Sequence, residues 1–246
     1  MDGRAAAATL ALCASCLTQL SAAADTISVG TFSSQAPNAP LPAPWQPLHF
    51  KHIPRHSRYE FVSRDGATVL EARAENSASG VARPLDIDPK KYPILRWRWK
   101  IANLIETSDP HRKSGDDYPA RLYITFRRDP SDTGTLDRAW SALGRALYGV
   151  EPPFAGINYI WERALPKGTI LPNAHTDRVR MIVVESGRGQ VGQWVAEERN
   201  VYEDYRRAFG AEPPMISGLA LMTDTDDTGE SATAWYGDIS FGRAQP

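Results

Sequence analysis

Apolar and polar residues alternate along many short stretches of this chain, which is the pattern of β-strands that bury one face. Turn residues separate the stretches, and Asp65-Gly66 between the first two is a strong hairpin signal. The nine stretches are 58–64, 67–75, 94–101, 120–127, 156–163, 178–186, 192–200, 215–223 and 232–241. Strands and helices do not alternate regularly, so the pattern predicts an all-β fold, an antiparallel β-sandwich or jelly roll.

Two segments have helical periodicity instead. Residues 135–149 place apolar side chains on one face, at Leu136, Trp140, Leu143 and Leu147. Residues 201–210 form a shorter predicted helix that ends at Gly210. The first helix covers an edge of the sandwich or docks a protein partner, and both interpretations stay open. The proline-rich residues 34–48 are predicted to form a loop within a single domain over residues 25–246.

The N-terminus has the arrangement of a secretory signal peptide. Arg4 precedes an apolar run, and small residues over 22–24 precede Asp25. We predict a signal peptide over residues 1–24 and a periplasmic or secreted protein, with a lipoprotein anchored at Cys16 as the alternative. Both cysteines lie in this segment, so the chain from Asp25 onward has no disulfide, thiolate metal site or cysteine nucleophile.

Composition and motifs exclude several functional classes. The formal net charge of −1 argues against broad nucleic-acid binding. After the signal peptide, no apolar run approaches the length of a membrane helix. The sequence also lacks the motifs of serine hydrolases, zinc metalloproteases, phosphate-binding loops and dinucleotide sites. An enzyme with this sequence would have to use carboxylates, histidine or tyrosine.

Two of the predicted strands carry basic residues on the face away from the core. Arg96 and Arg98 alternate with tryptophans in one strand, and Arg121 and Tyr123 alternate with apolar residues in another. If the two strands share a sheet, these four side chains form one patch. Such a patch could bind the carboxylate, sulfate or hydroxyl groups of a ligand. A solvated sheet face is the alternative.

Acidic residues that could form ion pairs with these arginines lie close to them in sequence. Asp116 and Asp117 come just before the strand of Arg121, where they could orient arginines, coordinate a cation or act as acid and base. Asp238 lies in the last predicted strand and is a further candidate for ligand binding. If the protein is an enzyme, Asp117 and Asp224 are the candidate acid and base.

Three aspartates occur within four residues, Asp224, Asp226 and Asp227. The stretch is not an EF-hand, because its twelfth position is Trp235 where a bidentate glutamate is needed. A polar hairpin turn, a simpler calcium site and a catalytic acid remain as alternatives. These aspartates are candidates for a functional site only if Asp224 lies close to Asp116 and Asp117 in the fold, beside Arg121.

Several motifs in a fixed order resemble the bacterial domain-of-unknown-function family 3047. They are RWRWK, GDDYPARLYITF, INYIW, WVAEERNVYEDYRRAFG and LMTDTDDTGESATAWYGDISF. The resemblance runs from about Ile27 to Phe241, and because the family is uncharacterised it implies no activity and no catalytic residues. The chain is also similar in outline to carbohydrate-binding jelly-roll modules, whose last strand often carries an aspartate like Asp238.

Together these features favour an exported, non-catalytic β-sandwich that binds carbohydrate or another small molecule, including acidic glycans. Its binding residues would be Arg96, Arg98, Asp116, Asp117, Arg121, Tyr123 and Asp238, and calcium is the one cofactor that the sequence suggests. A carboxylate-dependent polysaccharide hydrolase or lyase is one alternative. An envelope module that binds a protein partner through the Trp140 helix is the other.

Overall fold

The structure is a computed structural model that describes residues 26–127 and 155–244. The predicted signal peptide and the predicted Trp140 helix lie outside the described residues. Within those ranges the chain forms fourteen strands and one α-helix, α1 (Val201–Phe209). The strands are β1 (Thr26–Gly30), β2 (Gln46–Leu48), β3 (Arg58–Arg64), β4 (Ala67–Glu75), β5 (Ala78–Ile87), β6 (Ile94–Ile101), β7 (Arg121–Phe126), β8 (Ala155–Glu162), β9 (Ile170–Asn173), β10 (Thr176–Ser186), β11 (Val195–Asn200), β12 (Ile216–Asp224), β13 (Ser231–Tyr236) and β14 (Ile239–Gly242).

The strands form two seven-stranded sheets, which confirms the predicted β-sandwich. Sheet I has the order β1-β14-β6-β13-β4-β3, with β11 on the other edge of β6. Sheet II has the order β2-β5-β12-β7-β8-β10-β9. Among the described strands the pairs are antiparallel, except that β10 runs parallel to β8.

The core lies between the two sheets and is rich in aromatic residues. In β6 every second side chain is buried, as the alternation predicts. From this strand, the Trp97 ring lies 5.4 Å from the Tyr159 ring, and the Trp99 ring lies 6.1 Å from the Trp161 ring. Because both partners belong to β8, these contacts join sheet I to sheet II. Aromatic side chains bury large apolar areas, so such pairs stabilise the packing of the two sheets.

The strand prediction differs from the structure in two respects. The stretch over 232–241 is interrupted at Gly237 and Asp238, so that β13 and β14 pair with successive parts of β6. In addition, β1, β2, β5 and β9 were not predicted. The strand β2 lies inside the proline-rich segment that was predicted to be a loop. It is an edge strand of sheet II, where Pro47 is tolerated because an edge strand leaves one side unpaired.

The proposed single patch of basic residues does not form. Arg96 and Arg98 belong to β6 in sheet I, whereas Arg121 and Tyr123 belong to β7 in sheet II. The condition for a single patch, that the two strands share a sheet, is therefore not met. Alternation along a strand shows which residues share a face, but it does not show to which sheet the strand belongs.

The helix α1 agrees with the prediction and begins directly after β11. Its buried Asp204 accepts a hydrogen bond from the hydroxyl of Tyr159 in β8 at 2.8 Å and one from Nε of Arg199 in β11 at 2.9 Å. The carboxylate thus connects a strand of each sheet. In the described part of the chain, no helix has the length and apolar character needed to span a membrane.

Candidate functional site

A polar cluster lies on the outer face of sheet II, where β7 begins and β12 ends. Leu122 and Leu221 face the core. Side chains alternate along a strand, so Arg121, one residue before Leu122, and Asp224, three residues after Leu221, face the opposite side of the sheet. Loops nevertheless cover this position, because Arg121 is only 2 % exposed and Asp224 only 3 %. A buried arginine on an outer face requires specific partners.

The Arg121 guanidinium has partners on all three nitrogens. Nε donates to Oδ1 of Asp224 at 2.8 Å, and Nη2 donates to Oδ2 of Asp224 and to the carbonyl of Asp116. Nη1 donates to the hydroxyl of Tyr123 at 3.0 Å, and the guanidinium carbon lies 4.5 Å from the centre of the Tyr118 ring. Arg121 therefore organises the cluster and, in this arrangement, has few donors left for a ligand.

Five carboxylates surround this arginine, and we call them the acid centre: Asp116, Asp117, Asp224, Asp226 and Asp227. Asp117, Asp224 and Asp226 each place a carboxylate oxygen within 4.8 Å of the other two. Asp116 receives a hydrogen bond from Nδ2 of Asn173 at 3.1 Å. The acids from the two loops thus meet beside Arg121, as the sequence hypothesis required.

The acid centre contains buried oxygens that lack hydrogen-bond donors. Asp117 has no exposed surface; its Oδ2 accepts from the backbone N–H of Thr228 at 2.6 Å, but its Oδ1 has no partner within residues 26–127 and 155–244. In the same described residues, Oδ1 of Asp116 is likewise buried and without a partner. Burial, followed by the charge of Asp117, raises the pKa of Asp226, and the same two causes raise the pKa of Asp227 to about 6. The acid centre therefore carries more negative charge than its positively charged neighbours can balance.

The predicted calcium ligands are only partly brought together. Asp224 and Asp226 belong to the close group of oxygens, but its third member is Asp117, from the other loop, and not Asp227. Asp227 lies at the exposed rim, with Oδ2 3.9 Å from Nε2 of His175. The same imidazole nitrogen lies 3.5 Å from Oδ2 of Asp116. Sequence reasoning missed His175 and Asn173, because they come from the β9–β10 hairpin and carry no motif.

The two candidate catalytic acids, Asp117 and Asp224, are close together but poorly placed for an enzyme acting on a polymer. Both are buried, and Arg121 contacts both oxygens of Asp224. A general acid or base must come within hydrogen-bond reach of its substrate. In the described arrangement neither carboxylate is accessible to a polymeric substrate, so this arrangement does not support the hydrolase or lyase hypothesis.

The other predicted binding residues lie on the outer face of sheet I. A cleft of about 370 Å³ runs between β6, β11 and β14 and is lined by Arg96, Trp97, Arg98, Ala196, Glu197, Glu198, Asp238 and Ser240. Asp238 accepts hydrogen bonds from the backbone N–H and the hydroxyl of Ser33, at 2.8 and 2.6 Å. The structure thus separates Asp238 from the acid centre and places it with Arg96 and Arg98.

The two arginines of this cleft differ in their surroundings. Arg96 pairs with Glu198, Nε to Oε2, at 2.6 Å. The Arg98 guanidinium instead lies over the ring of Trp194, 4.7 Å from the ring centre. Its side chain crosses Gly237, where a Cβ would stand 2.5 Å from Cγ of Arg98. Trp194 was not singled out from the sequence, although the predicted strand over 192–200 contains it.

Comparison with known proteins identifies a family. The family described as "Protein of unknown function (DUF3047)" matches residues 43–240. The chain belongs to the DUF3047 family. No curated protein matches this DUF3047 chain in sequence.

Solved structures with a similar arrangement of strands have low identity. The family 11 carbohydrate-binding module of the Clostridium thermocellum cellulase Lic26A-Cel5E is 11% identical, with a TM-score of 0.43 over 89% of this chain and 95% of that chain. The family 30 module of Cel9D-Cel44B from the same organism is 10% identical, with a TM-score of 0.38 over 80% and 87%. The K2 cleaved adhesin domain of Lys-gingipain is 9% identical, with a TM-score of 0.41 over 90% and 99%. With TM-scores and identities this low, the names of these proteins do not indicate a ligand for this chain.

Proposed function

We propose that the protein is a non-catalytic β-sandwich that binds an acidic carbohydrate in the cleft of sheet I. The observation that carries this proposal is that Arg98, unlike Arg96 and Lys100 of the same strand, forms no ion pair with a carboxylate within residues 26–127 and 155–244. Arg98 lines the cleft with its guanidinium over the ring of Trp194. A guanidinium in this position retains in-plane donors for a ligand carboxylate or sulfate.

The neighbouring cations explain why Arg98 is the anion-binding residue. Arg96 is paired with Glu198 at 2.6 Å, and Lys100 is paired with Asp65 at 3.1 Å. These pairs are partly exposed, so they can adjust around a ligand, but each cation already has a counter-charge. Arg98 is held by the indole ring through a cation–π contact, which leaves the edge of the guanidinium free.

The rest of the cleft suits a sugar. Asp238 and Ser240 line it, and Asp238 uses Ser33 as its donor while a carboxylate can accept about four hydrogen bonds. Its remaining lone pairs can accept from sugar hydroxyls. Trp194 lies beside the cleft, where its ring supports Arg98 and its Nε1 donates to Asp65 at 2.8 Å. The cleft thus offers one anion site beside hydroxyl acceptors.

Calorimetric titration of the full chain with uronic-acid, sulfated and neutral oligosaccharides tests this proposal. We expect binding of an acidic saccharide, and a roughly tenfold to hundredfold loss of affinity in Arg98→Ala, since hydrogen bonds to charged groups contribute about 1.5–3 kcal/mol. Trp194→Ala should weaken binding too. Arg127→Ala, which removes an exposed arginine of sheet II, is the charge-matched control and should bind like wild type.

Two results would overturn the proposal. One is that no acidic saccharide binds to the wild-type protein at any concentration reached. The other is binding that Arg98→Ala and Trp194→Ala leave unchanged, because the ligand would then lie elsewhere.

A further inference from the structure

We propose that Asp117, Asp224 and Asp226 bind a calcium ion at the end of sheet II. Their carboxylate oxygens all lie within 4.8 Å of one another. Calcium binds oxygen ligands at about 2.3–2.6 Å, so two oxygens on opposite sides of one ion lie about 5 Å apart. The three carboxylates are therefore spaced to share one ion. This site is on the opposite sheet from the Arg98 cleft and does not depend on it.

Asp117 provides an independent reason to expect a ligand here. Its side chain has no exposed surface, yet no donor in the described part of the chain forms a hydrogen bond with its Oδ1. Buried polar atoms in proteins nearly always have a partner, because an unsatisfied one keeps the full cost of losing water. Oδ1 of the adjacent Asp116 is in the same state. A cation at the acid centre would supply the missing positive partner for this buried oxygen.

The charges around the acid centre also require a cation. Its five carboxylates face the guanidinium of Arg121 and the imidazole of His175. Arg121 is already engaged by Asp224, Asp116 and Tyr123, and the His175 side chain is 43% exposed. Burying like charges without compensation is costly. With His175 neutral, the five carboxylates and Arg121 carry a net charge of about −4, and a divalent ion would halve it.

The donor chemistry selects the type of ion. The ligands are carboxylate oxygens, which suit calcium, magnesium and manganese, whereas zinc and copper favour imidazole and thiolate. Carboxylates can bind through one or both oxygens, and calcium accepts the irregular geometry that results better than magnesium does. Asp226 is only half-buried and Asp227 is exposed, so the ion can enter from the rim.

Binding would join two loops that are distant in sequence. Asp117 belongs to the loop before β7, whereas Asp226 belongs to the loop between β12 and β13. The loops already share hydrogen bonds: the N–H of Thr228 donates to Asp117, and the N–H and hydroxyl of Thr107 donate to Glu230. An ion held by both loops stabilises the folded chain in proportion to its occupancy.

The test uses the full chain after metal removal with EDTA and dialysis. Calorimetry with calcium chloride should show saturable binding, and saturating calcium should raise the melting temperature by about 5–10 °C. Asp226→Asn should weaken calcium binding at least tenfold. In EDTA the same variant should melt above wild type, because it removes one of the repelling charges. A purely structural aspartate would not give this reversal.

Asp86→Asn, which alters an exposed acid at the edge of sheet II, is the matched control and should respond to calcium like wild type. Asp117→Asn should also lose calcium binding, but it changes a fully buried residue and could impair folding, so Asp226→Asn carries the test. Absence of calcium binding by the wild-type protein would overturn the proposal. So would wild-type calcium affinity in Asp226→Asn.

Discussion

Arg121 is the side chain on which the acid centre depends. Its guanidinium is buried and contacts both oxygens of Asp224, the carbonyl of Asp116 and the hydroxyl of Tyr123. Buried charges of opposite sign stabilise each other only while both are present, because each would otherwise be left unpaired in a medium of low dielectric constant. The position should therefore be sensitive to loss of charge and to loss of shape.

We expect Arg121→Met to lower the free energy of unfolding by about 3–5 kcal/mol, because Asp224 stays buried without its counter-charge. Arg121→Lys should lose less, since it keeps the charge but not the planar fork. Urea unfolding in EDTA measures both. Arg96→Met removes an exposed pair and should change stability by less than about 1 kcal/mol. Wild-type stability in Arg121→Met would contradict this account.

At this scale the sequence identifies the chemistry of the residues but not their exposure. Asp116, Asp117 and Asp224 were recognised as acids that could meet at Arg121; Asp116 and Asp224 contact it, and Asp117 lies next to Asp224. Arg121 and Tyr123 were expected to contact a ligand from an exposed face. Arg121 is instead buried and Tyr123 partly buried, because the loop over residues 113–120 folds back over the start of β7, and no local pattern predicts such a loop.

Among the elements, α1 follows directly from its sequence. Asn200 precedes the first turn, and its side chain accepts a hydrogen bond from the N–H of Glu203 at 3.1 Å. At the other end Gly210 has φ 70°, a left-handed conformation that glycine adopts without strain. Gly210 ended the predicted helix, whereas Asn200 was not singled out from the sequence and is identified as the cap by the structure.

We expect Asn200→Ala to destabilise the protein by about 1 kcal/mol, because an N–H at the first turn loses its acceptor. Asn200→Asp retains the acceptor and should remain close to wild type, since a carboxylate also suits the positive end of a helix. Thermal unfolding of the three proteins compares them. Equal losses in Asn200→Ala and Asn200→Asp would show that the side chain does not act as a cap.

The strand β5 shows why other elements were missed. Its sequence, ASGVARPLDI, lacks a clear alternation and contains Gly80 and Pro84, which are unfavourable in strands. Yet it pairs with β12 along most of its length. A Cβ at Gly80 would stand 2.8 Å from the carbonyl oxygen of Leu221, so this glycine is required by the neighbouring strand. Such contacts depend on tertiary structure and leave no local signal.

For the molecule as a whole, the pairing of strands determines which residues form a site. The N–H of Tyr118 donates to Oδ1 of Asp224 at 3.2 Å across 106 residues of sequence, because β7 lies beside β12. The assignment of β6 and β7 to opposite sheets likewise divides the predicted binding residues into two sites. The β-sandwich itself was predictable from strand spacing, whereas these pairings were not. The signal peptide over 1–24 stays a prediction.

The carboxyl group of Glu197 makes the stability of the folded protein depend on pH. Glu197 in β11 is partly buried, and its Oε1 has no hydrogen-bond partner among the described residues. Burial, followed by the charge of Glu185, raises the pKa of Glu197 from 4.5 to about 7, and Lys167, the Trp99 indole and Arg199 oppose this effect only in part. The folded state therefore favours the protonated form. Its contribution to stability is complete below about pH 4.5 and is lost as the pH rises to about 7.

We expect Glu197→Gln to remove this dependence, because glutamine is neutral at every pH. Urea unfolding between pH 5 and 8 should show a variant that gains on wild type as the pH rises and exceeds it by about 2 kcal/mol at pH 8, after allowance for solvent screening. The difference between the two curves isolates Glu197 from other groups that titrate in this range. Glu198→Gln changes the exposed neighbour and should follow wild type. Parallel curves for wild type and Glu197→Gln would mean that Glu197 is already ionised in the folded protein.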